Sequence, residues 1–318
     1  MKPPIVFFGT GPVSLSCLEG IYDAFEIEAI ITKPDRKAPS GRTHEHPVRA
    51  WAESHEVPLH QVADKAALTK LFDQERFSSS AGLVVDFGMI IPAVVIAAFA
   101  RGIINSHFSL LPRLRGADPI SFAILGGQTR TGVSLMKIVA RLDEGDLIAQ
   151  EEYALPAVIT TPELTSALSD LSNGLLREYL PKYIKDEIKL WPQDPAVPPT
   201  YTRRLTKADG ALDWRKPAAQ LEREVRAFIS WPGSRAELFS RSVTVTAARL
   251  VSQLDVASSA DAVTHLDFQL PGTVLRGWPD RLFVVCGDGV LEILRLTPAG
   301  KRPMDAAAFL RGLPSQRT

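Results

Sequence analysis

Asn105, Ser106 and His107 close an apolar run, from Gly102, that reads as a buried strand. Residues i and i+2 of a strand share one face, so Asn105 and His107 are expected to point into the same space. In an open α/β sheet, ligands sit beyond the carboxyl ends of the strands. An amide donor beside an imidazole can stabilise an oxyanion and handle a proton, the two needs of acyl transfer. Taken alone, the pair better suits a satisfied core histidine next to a turn-forming asparagine. Asp143, in LDEGD between two expected strands, shifts that balance. An acid on a Gly-containing loop can fold back over the same edge, favour the charged imidazole and organise water. Asp146, three residues on, competes for the role. Ser109, His107 and Asp143 would make a serine triad, but no G-x-S-x-G elbow accompanies them.

Two weaker motifs lie upstream. Gly9-Thr10-Gly11 follows a strand pattern and precedes a helical one, as in a phosphate-binding turn, yet position 14 is Ser where the dinucleotide fingerprint needs a third glycine. A tight strand-to-helix turn is the expected role. His44-Glu45-His46 is compact, but no H-E-x-x-H or cysteine pattern supports a metal site, so a solvated loop and no metal are expected.

The elements that must position these groups follow from periodicity. Ile5–Phe8, Glu26–Thr32, Val57–Val62, Gly82–Val85 and Gly102–Ser106 read as strands, and Leu15, Leu18, Ile21, Tyr22 and Phe25, then Ala67–Phe72 and Ala93–Phe99, as helices between them. Such alternation predicts a mostly parallel sheet with helices on both faces, a Rossmann-like α/β domain. Gly132–Val139 and Leu147–Tyr153 add strands, and Pro162 opens a long helix ending near Ile188. Trp191–Thr200 holds four prolines in ten residues and reads as a semi-stiff linker. The expected division is 1–190, a linker at 191–204, and a small β-barrel over 205–318. In that second part, Leu221, Val225 and Phe228 mark a short helix. Ser242–Ala247, Gly272–Arg276, Arg281–Cys286 and Val290–Leu296 mark strands, and Asp288-Gly289 a hairpin turn.

A chain of 318 residues, 45% apolar and 23% charged, agrees with two folded domains. Its 36 basic and 36 acidic residues cancel, which argues against a surface that is polyanion-binding throughout and leaves local basic patches. Cys17 and Cys286, far apart within apolar runs, suit inert core thiols in a reducing compartment. MKPPIVFFG lacks the apolar core of a signal peptide, and no run approaches a membrane span, so a cytoplasmic monomer is expected.

INSHFSLLPRLRGADPI, from Ile104, followed by TGVSLMKIVARLDEGD, from Thr131, closely resembles the signature of 10-formyltetrahydrofolate-dependent formyltransferases. FFGTGPVSLSCLEGI and TKPDRKAPSGR extend the resemblance toward the start, and LTKADGALDWRKPAAQLEREVRAFISWPGS and LTPAGKRPM carry it into an OB-like C-terminal module. It points to the branch that formylates methionine on initiator tRNA. The resemblance implies that Asn105, His107 and Asp143 are catalytic. It implies further that the amine attacks the formyl carbon directly, that Asn105 and His107 stabilise the oxyanion, and that Asp143 helps move protons through ordered water toward the leaving folate nitrogen, without metal or covalent intermediate. It also implies a folate site at Phe87, Gly88, Met89, Ile90 and Ile91, before Pro92, and at Ser109, Leu110, Leu111 and Pro112. Read from the residues alone, the apolar run before Pro92 serves core packing as well as it serves a pterin.

Two patches could meet RNA. Lys33, Arg36, Lys37, Arg42 and Arg49 stand against Asp35 and Glu45. By resemblance the first is a tRNA-contacting loop in which Arg36, Lys37 and above all Arg42 bind. From Tyr201 to Arg226 seven basic residues face four acidic ones, with Arg203, Arg204 and Lys207 the expected contacts. A solvated, mildly basic surface is the plain alternative. Arg113 and Arg115 could either meet phosphate or hold their loop. The chain departs from the family at Asp86, usually a small apolar residue, in a basic loop about one residue shorter than in many relatives and interrupted by His44-Glu45-His46, and in GTG after the first strand. Two other readings stay open. One is an amino-sugar-nucleotide formyltransferase or formyltetrahydrofolate hydrolase domain; the other is a non-catalytic RNA-binding protein, which leaves Asn105, His107 and Asp143 unexplained.

Overall fold

The structure, a computed structural model, describes residues 2–37, 43–252, 254–256, 270–277 and 279–313. It divides into two compact units, the first formed by residues 1–120, 129–155 and 163–203 and the second by 121–128, 156–162 and 204–318.

The first unit begins with β1 (Pro4–Gly9), α1 (Pro12–Ile21) and β2 (Glu26–Thr32), then a short hairpin of β3 (Arg36–Lys37) and β4 (Thr43–His44). There follow α2 (Pro47–Ser54), β5 (Leu59–Gln61), α3 (Lys65–Gln74), β6 (Ala81–Val85), α4 (Ala93–Ala97) and β7 (Gly102–His107). Next come β8 (Arg115–Gly116), α5 (Pro119–Leu125), of which residues 121–125 belong to the second unit, β9 (Arg130–Lys137), β10 (Leu147–Ala154), α6 (Thr161–Ile184), which belongs to the first unit from residue 163, and β11 (Tyr201–Thr202). The local causes are ordinary. Prolines open α1 and α2 in their first turn, where no amide is missed, and the Asp64 carboxylate caps α3 through the Ala67 amide at 2.9 Å.

The main sheet runs β10-β9-β7-β6-β1-β2-β5. Its five strands from β7 to β5 are parallel, and β9 and β10 complete it antiparallel. On one face Val6, Phe8, Val84 and Ile103 pack with Leu68 and Phe72 of α3 and Val95 of α4. On the other, α1 and α6 meet through Cys17 and Ser172 and through the Asn173 amide on the Ser16 carbonyl. Helices thus cover both faces, as alternation predicted. Burial pushes the Cys17 thiol up to about 12 and Cys286 up to about 11, so both are poor nucleophiles at neutral pH.

The second unit has a 3-10 turn (Lys207–Gly210), α7 (Ala218–Ala227), β12 (Ser234–Leu238), β13 (Arg241–Val251), β14 (Val274–Gly277), β15 (Arg281–Val285), β16 (Val290–Pro298), β17 (Met304–Asp305) and α8 (Ala306–Arg311). Its sheet is antiparallel, in the order β12-β13-β16-β15-β14, with β17 beside β16. Leu221 and Val225 of α7 and Phe309 of α8 pack on Val245, Leu282 and Ile293. The β15–β16 turn sits one residue earlier than read: Cys286 bonds Gly289, leaving Gly287-Asp288 as the loop. Among the described residues no helix is long and apolar enough to cross a membrane.

The Pro-rich segment, expected as a semi-stiff linker, is stitched into the first unit. Trp191 exchanges both backbone hydrogen bonds with Leu147 at 2.7 and 3.1 Å, and Thr200 accepts the Arg115 amide at 2.8 Å. Tyr201 and Thr202 then pair in parallel with Arg115 and Gly116. Proline removes donors without preventing the residues between from bonding, so composition alone does not show these bonds.

Candidate active site

Strand β7 presents its residues as the alternation requires. Ser106 turns to α6, sharing a 2.7 Å hydrogen bond with Ser172, while Ile103 packs on the opposite face, which Asn105 and His107 therefore share. His107 is buried, and its Nε2 lies 2.9 Å from the Leu114 carbonyl oxygen. A carbonyl only accepts, so Nε2 carries the proton and Nδ1 is the nitrogen left for chemistry. Nδ1 faces Asp143 Oδ2 at 3.8 Å, too long for a direct hydrogen bond and suited to a bridging water. The same Oδ2 accepts the Gly116 amide at 2.7 Å. Asn105 is half-buried, and its side chain makes no hydrogen bond among the described residues.

The two loop acids are placed differently. Asp143 is 8% exposed and turned to His107, whereas Asp146 is exposed and meets Lys137 through its backbone carbonyl. The serine alternative is not assembled, because Ser109 Oγ donates to the Arg113 carbonyl at 2.7 Å. The backbone is unusual here: Leu114, Gly116, Asp118 and Asp143 all have positive φ, at 55, 101, 57 and 52°. For a residue other than glycine this costs about 1 kcal/mol, so surrounding bonds must hold it. At Gly116 an added Cβ would also lie 2.5 Å from the Thr202 carbonyl oxygen.

Beside Arg115, those bonds come from Ser134, Gln150 and Gln193, which the sequence alone did not single out. Ser134 on β9 accepts the Leu111 amide at 3.1 Å and donates to the Ser109 carbonyl at 2.6 Å. Gln150 donates to the Leu111 carbonyl at 2.9 Å. Gln193 donates to the Asp143 and Gly145 carbonyls at 2.8 and 3.0 Å. Arg115 is buried, paired with Glu144 at 3.1 Å and bonded to Gln193, so it holds the loop rather than meeting solvent. Arg113 is exposed, and its side chain has no hydrogen bond or ion pair among the described residues.

The residues read as folate-binding divide. Phe87 and Ile91 are buried in the core, Phe87 edge-on to Phe8 with ring centroids 5.6 Å apart, and Met89 packs at that core's margin. Gly88 is exposed, and Ile90 is 62% exposed. Ser109, Leu111 and Pro112 are buried and Leu110 half-buried. Asp86 is exposed with φ of 46°, and its Oδ2 would lie 2.8 Å from a Cβ placed on Gly11. The Gly9–Gly11 turn is structural: the Ser14 hydroxyl accepts the Thr10 amide at 2.9 Å and donates to the Val85 carbonyl at 2.5 Å, tying β1 to the end of β6.

In the basic loop, Arg36 and Lys37 form β3, and Arg42 lies outside the described residues. Arg49 is not available for phosphate as the charge count assumed, because it pairs with Asp35 at 2.5 Å and Glu53 at 2.7 Å. Asp35 also accepts the His46 amide at 2.9 Å, so the loop's two ends are clamped together. Lys33 donates to the Gly88 carbonyl, joining the loop's base to the segment before Pro92. Arg203 ends the first unit's last segment, while Arg204 and Lys207 begin a segment of the second, all three exposed.

Compared with known proteins, residues 6–180 match the formyl transferase family and residues 204–314 its C-terminal domain. The methionyl-tRNA formyltransferase of Myxococcus xanthus is 36% identical over 312 residues, covering 98% of this chain and 95% of that protein. Among solved structures, a substituted variant of HypX from Aquifex aeolicus superposes with a TM-score of 0.65 at 14% identity, covering 99% of this chain and 49% of that one. This chain therefore spans about half the length of HypX. An N-formyltransferase from Helicobacter canadensis, solved with folinic acid and dTDP-3-aminofucose, superposes with a TM-score of 0.64 at 16% identity, covering 92% and 99%. At such identities these two likenesses bear on the fold alone.

Proposed function

The chain belongs to the formyl transferase family, and from this premise we propose that it moves the formyl group of 10-formyltetrahydrofolate onto the amino group of methionine on initiator tRNA. The observation that carries the chemistry is the meeting of Asn105, His107 and Asp143 at the carboxyl end of β7, with the Asn105 amide unengaged among the described residues. The choice of acceptor is supported by similarity along the whole chain, C-terminal domain included, to a protein named for that acceptor.

The donor set fits a folate. Ile90 offers an exposed apolar face for a flat ring, and the exposed Gly88 allows backbone to approach its edge. Ser109, Leu111 and Pro112, being buried, shape the wall and leave contact to Leu110. The bound donor supplies an activated formyl carbon. Asn105 donates its side-chain N–H to the oxygen on which negative charge develops. His107, with Nε2 committed to Leu114, takes the proton released by the amine at Nδ1, and that proton is passed on to the folate nitrogen as its bond to the formyl carbon breaks. Asp143 then faces the charged ring at 3.8 Å, where a water beside the pair can bridge them, and its hold on Gly116 keeps it there. Arg36, Lys37, Arg42, Arg113, Arg203, Arg204 and Lys207 are the side chains we assign to tRNA phosphates.

The test is direct. Purified protein given 10-formyltetrahydrofolate is expected to formylate methionyl initiator tRNA, measured as formylmethionine released from the tRNA. Formylation of a nucleotide amino sugar with none of the charged tRNA would overturn the assignment.

A further inference from the structure

We propose that Gln193, in the Pro-rich segment, is a positioning residue for the formyl transfer described above, acting on Asp143 through the loop that carries it. The inference rests on that reading of the reaction, but its geometry stands on its own.

Gln193 uses its whole side-chain amide. Its Nε2 donates to the carbonyls of Asp143 at 2.8 Å and Gly145 at 3.0 Å, bracketing Glu144. Its Oε1 accepts from Arg115, at 2.7 Å from Nη2 and 3.3 Å from Nε. Arg115 in turn pairs with Glu144 at 3.1 Å and reaches the Tyr201 hydroxyl at 3.2 Å. Two donors and an acceptor therefore meet three groups of the site's margin at once, a pattern that an amide satisfies and a carboxylate or an apolar side chain does not. Asp143, with its φ of 52°, sits in a conformation that a free loop would leave. The segment itself cannot drift, since Trp191 is bonded to Leu147 on one side and Thr200 to Arg115 on the other. The Pro-rich stretch thus acts as a brace whose one inward amide fixes the loop, and the carboxylate stays beside His107 and the Gly116 amide.

Two variants separate this role from simple packing. Gln193→Leu removes all the bonds. Gln193→Glu keeps an acceptor for Arg115 but sets an oxygen against two carbonyl oxygens. Both are expected to lower kcat about ten- to hundredfold, with KM for tRNA and for 10-formyltetrahydrofolate changed less than about threefold, as for supporting groups around a catalytic site. In both, hydrogen-exchange protection of the Gly116 amide, which reports its bond to Asp143, is expected to fall at least about tenfold. The proposal is overturned if Gln193→Glu turns over like the parent protein while Gln193→Leu does not, since the Arg115 contact alone would then matter. It is equally overturned if Gly116 protection is unchanged, if both variants keep normal rates, or if lost rate merely tracks lost folded protein in a thermal melt. A parent protein that fails to formylate charged tRNA, with Gly116 protection still falling in both variants, would sink the assigned reaction and leave the brace standing.

Discussion

At the scale of single residues, the site we propose rests on three side chains in unlike situations. His107 has one nitrogen spent on Leu114 and one facing Asp143; Asp143 holds a backbone amide; Asn105 is uncommitted among the described residues. Groups of this kind act on the transition state more than on folding, so their removal should separate rate from stability. His107→Ala and Asp143→Asn are each expected to lower kcat at least about a hundredfold while the thermal midpoint moves by no more than a few degrees. Asparagine can still accept the Gly116 amide, which is why the loop should survive that change. Steady-state rates beside a thermal melt would check it, and near-normal turnover in both variants would remove them from the chemistry. That Asn105 and His107 share one face was legible in the sequence, because that signal lay in i, i+2 spacing on a buried strand, which is local. Gln193 was not legible, since its partners lie some 50 residues away at Asp143 and 78 away at Arg115. The two arginines of LPRLRG were undecided for the same reason: burial separates Arg115 from Arg113, and burial is decided by the whole unit.

At the scale of elements, the strands of the parallel sheet were readable as short apolar runs, and their ends were right to within a few residues. The loops were harder, because the same apolar and basic residues serve several ends. Phe87 and Ile91 were read toward a ligand and pack in the core, and Arg49 was counted as a free cation and is held by Asp35 and Glu53. Each loop carries its own prediction. In the Asp143 loop, a Cβ on Gly145 would fall 1.7 Å from the Lys137 carbonyl oxygen, backbone that cannot swing aside. Gly145→Ala should therefore cost about 1–3 kcal/mol of stability and, by moving Asp143, at least about tenfold in kcat. A denaturant titration and a rate measurement on one preparation would show both effects, and a loss of neither would contradict the packing. In the basic loop, the Asp35 carboxyl is held below the usual carboxylate range, first by the His46 amide and then by Arg49. A depressed pKa means that the clamp is complete above the ordinary carboxylate value and is lost as pH falls through the lowered one. The exchange protection factor of the His46 amide is thus expected to stay level from neutral pH down to about pH 4 and to drop only in more acid solution. Asp35→Asn should abolish that step.

At the scale of the whole molecule, charge decides how the acceptor is approached. Basic and acidic residues balance at 36 each, so no net charge draws in a polyanion, and the grip on tRNA is expected from local cations. The structure reduces that number further, since Arg49 and Arg115 are consumed by internal pairs. A handful of phosphate contacts predicts a moderate salt dependence. With about three to five phosphates neutralised, log(kcat/KM) for charged tRNA should fall against log salt with a slope of roughly −2 to −4, and KM for 10-formyltetrahydrofolate should move far less. Arg113, exposed and with no partner among the described residues, is the side chain beside the site best placed to make one of these contacts. Arg113→Ala should therefore shallow the slope by about one and raise KM for tRNA at low salt while leaving kcat within about twofold. A slope near zero would remove the basic patches from acceptor binding. One much steeper than this range would require a wider cationic surface than the sequence provides, and an unaltered slope in Arg113→Ala would move the contact elsewhere.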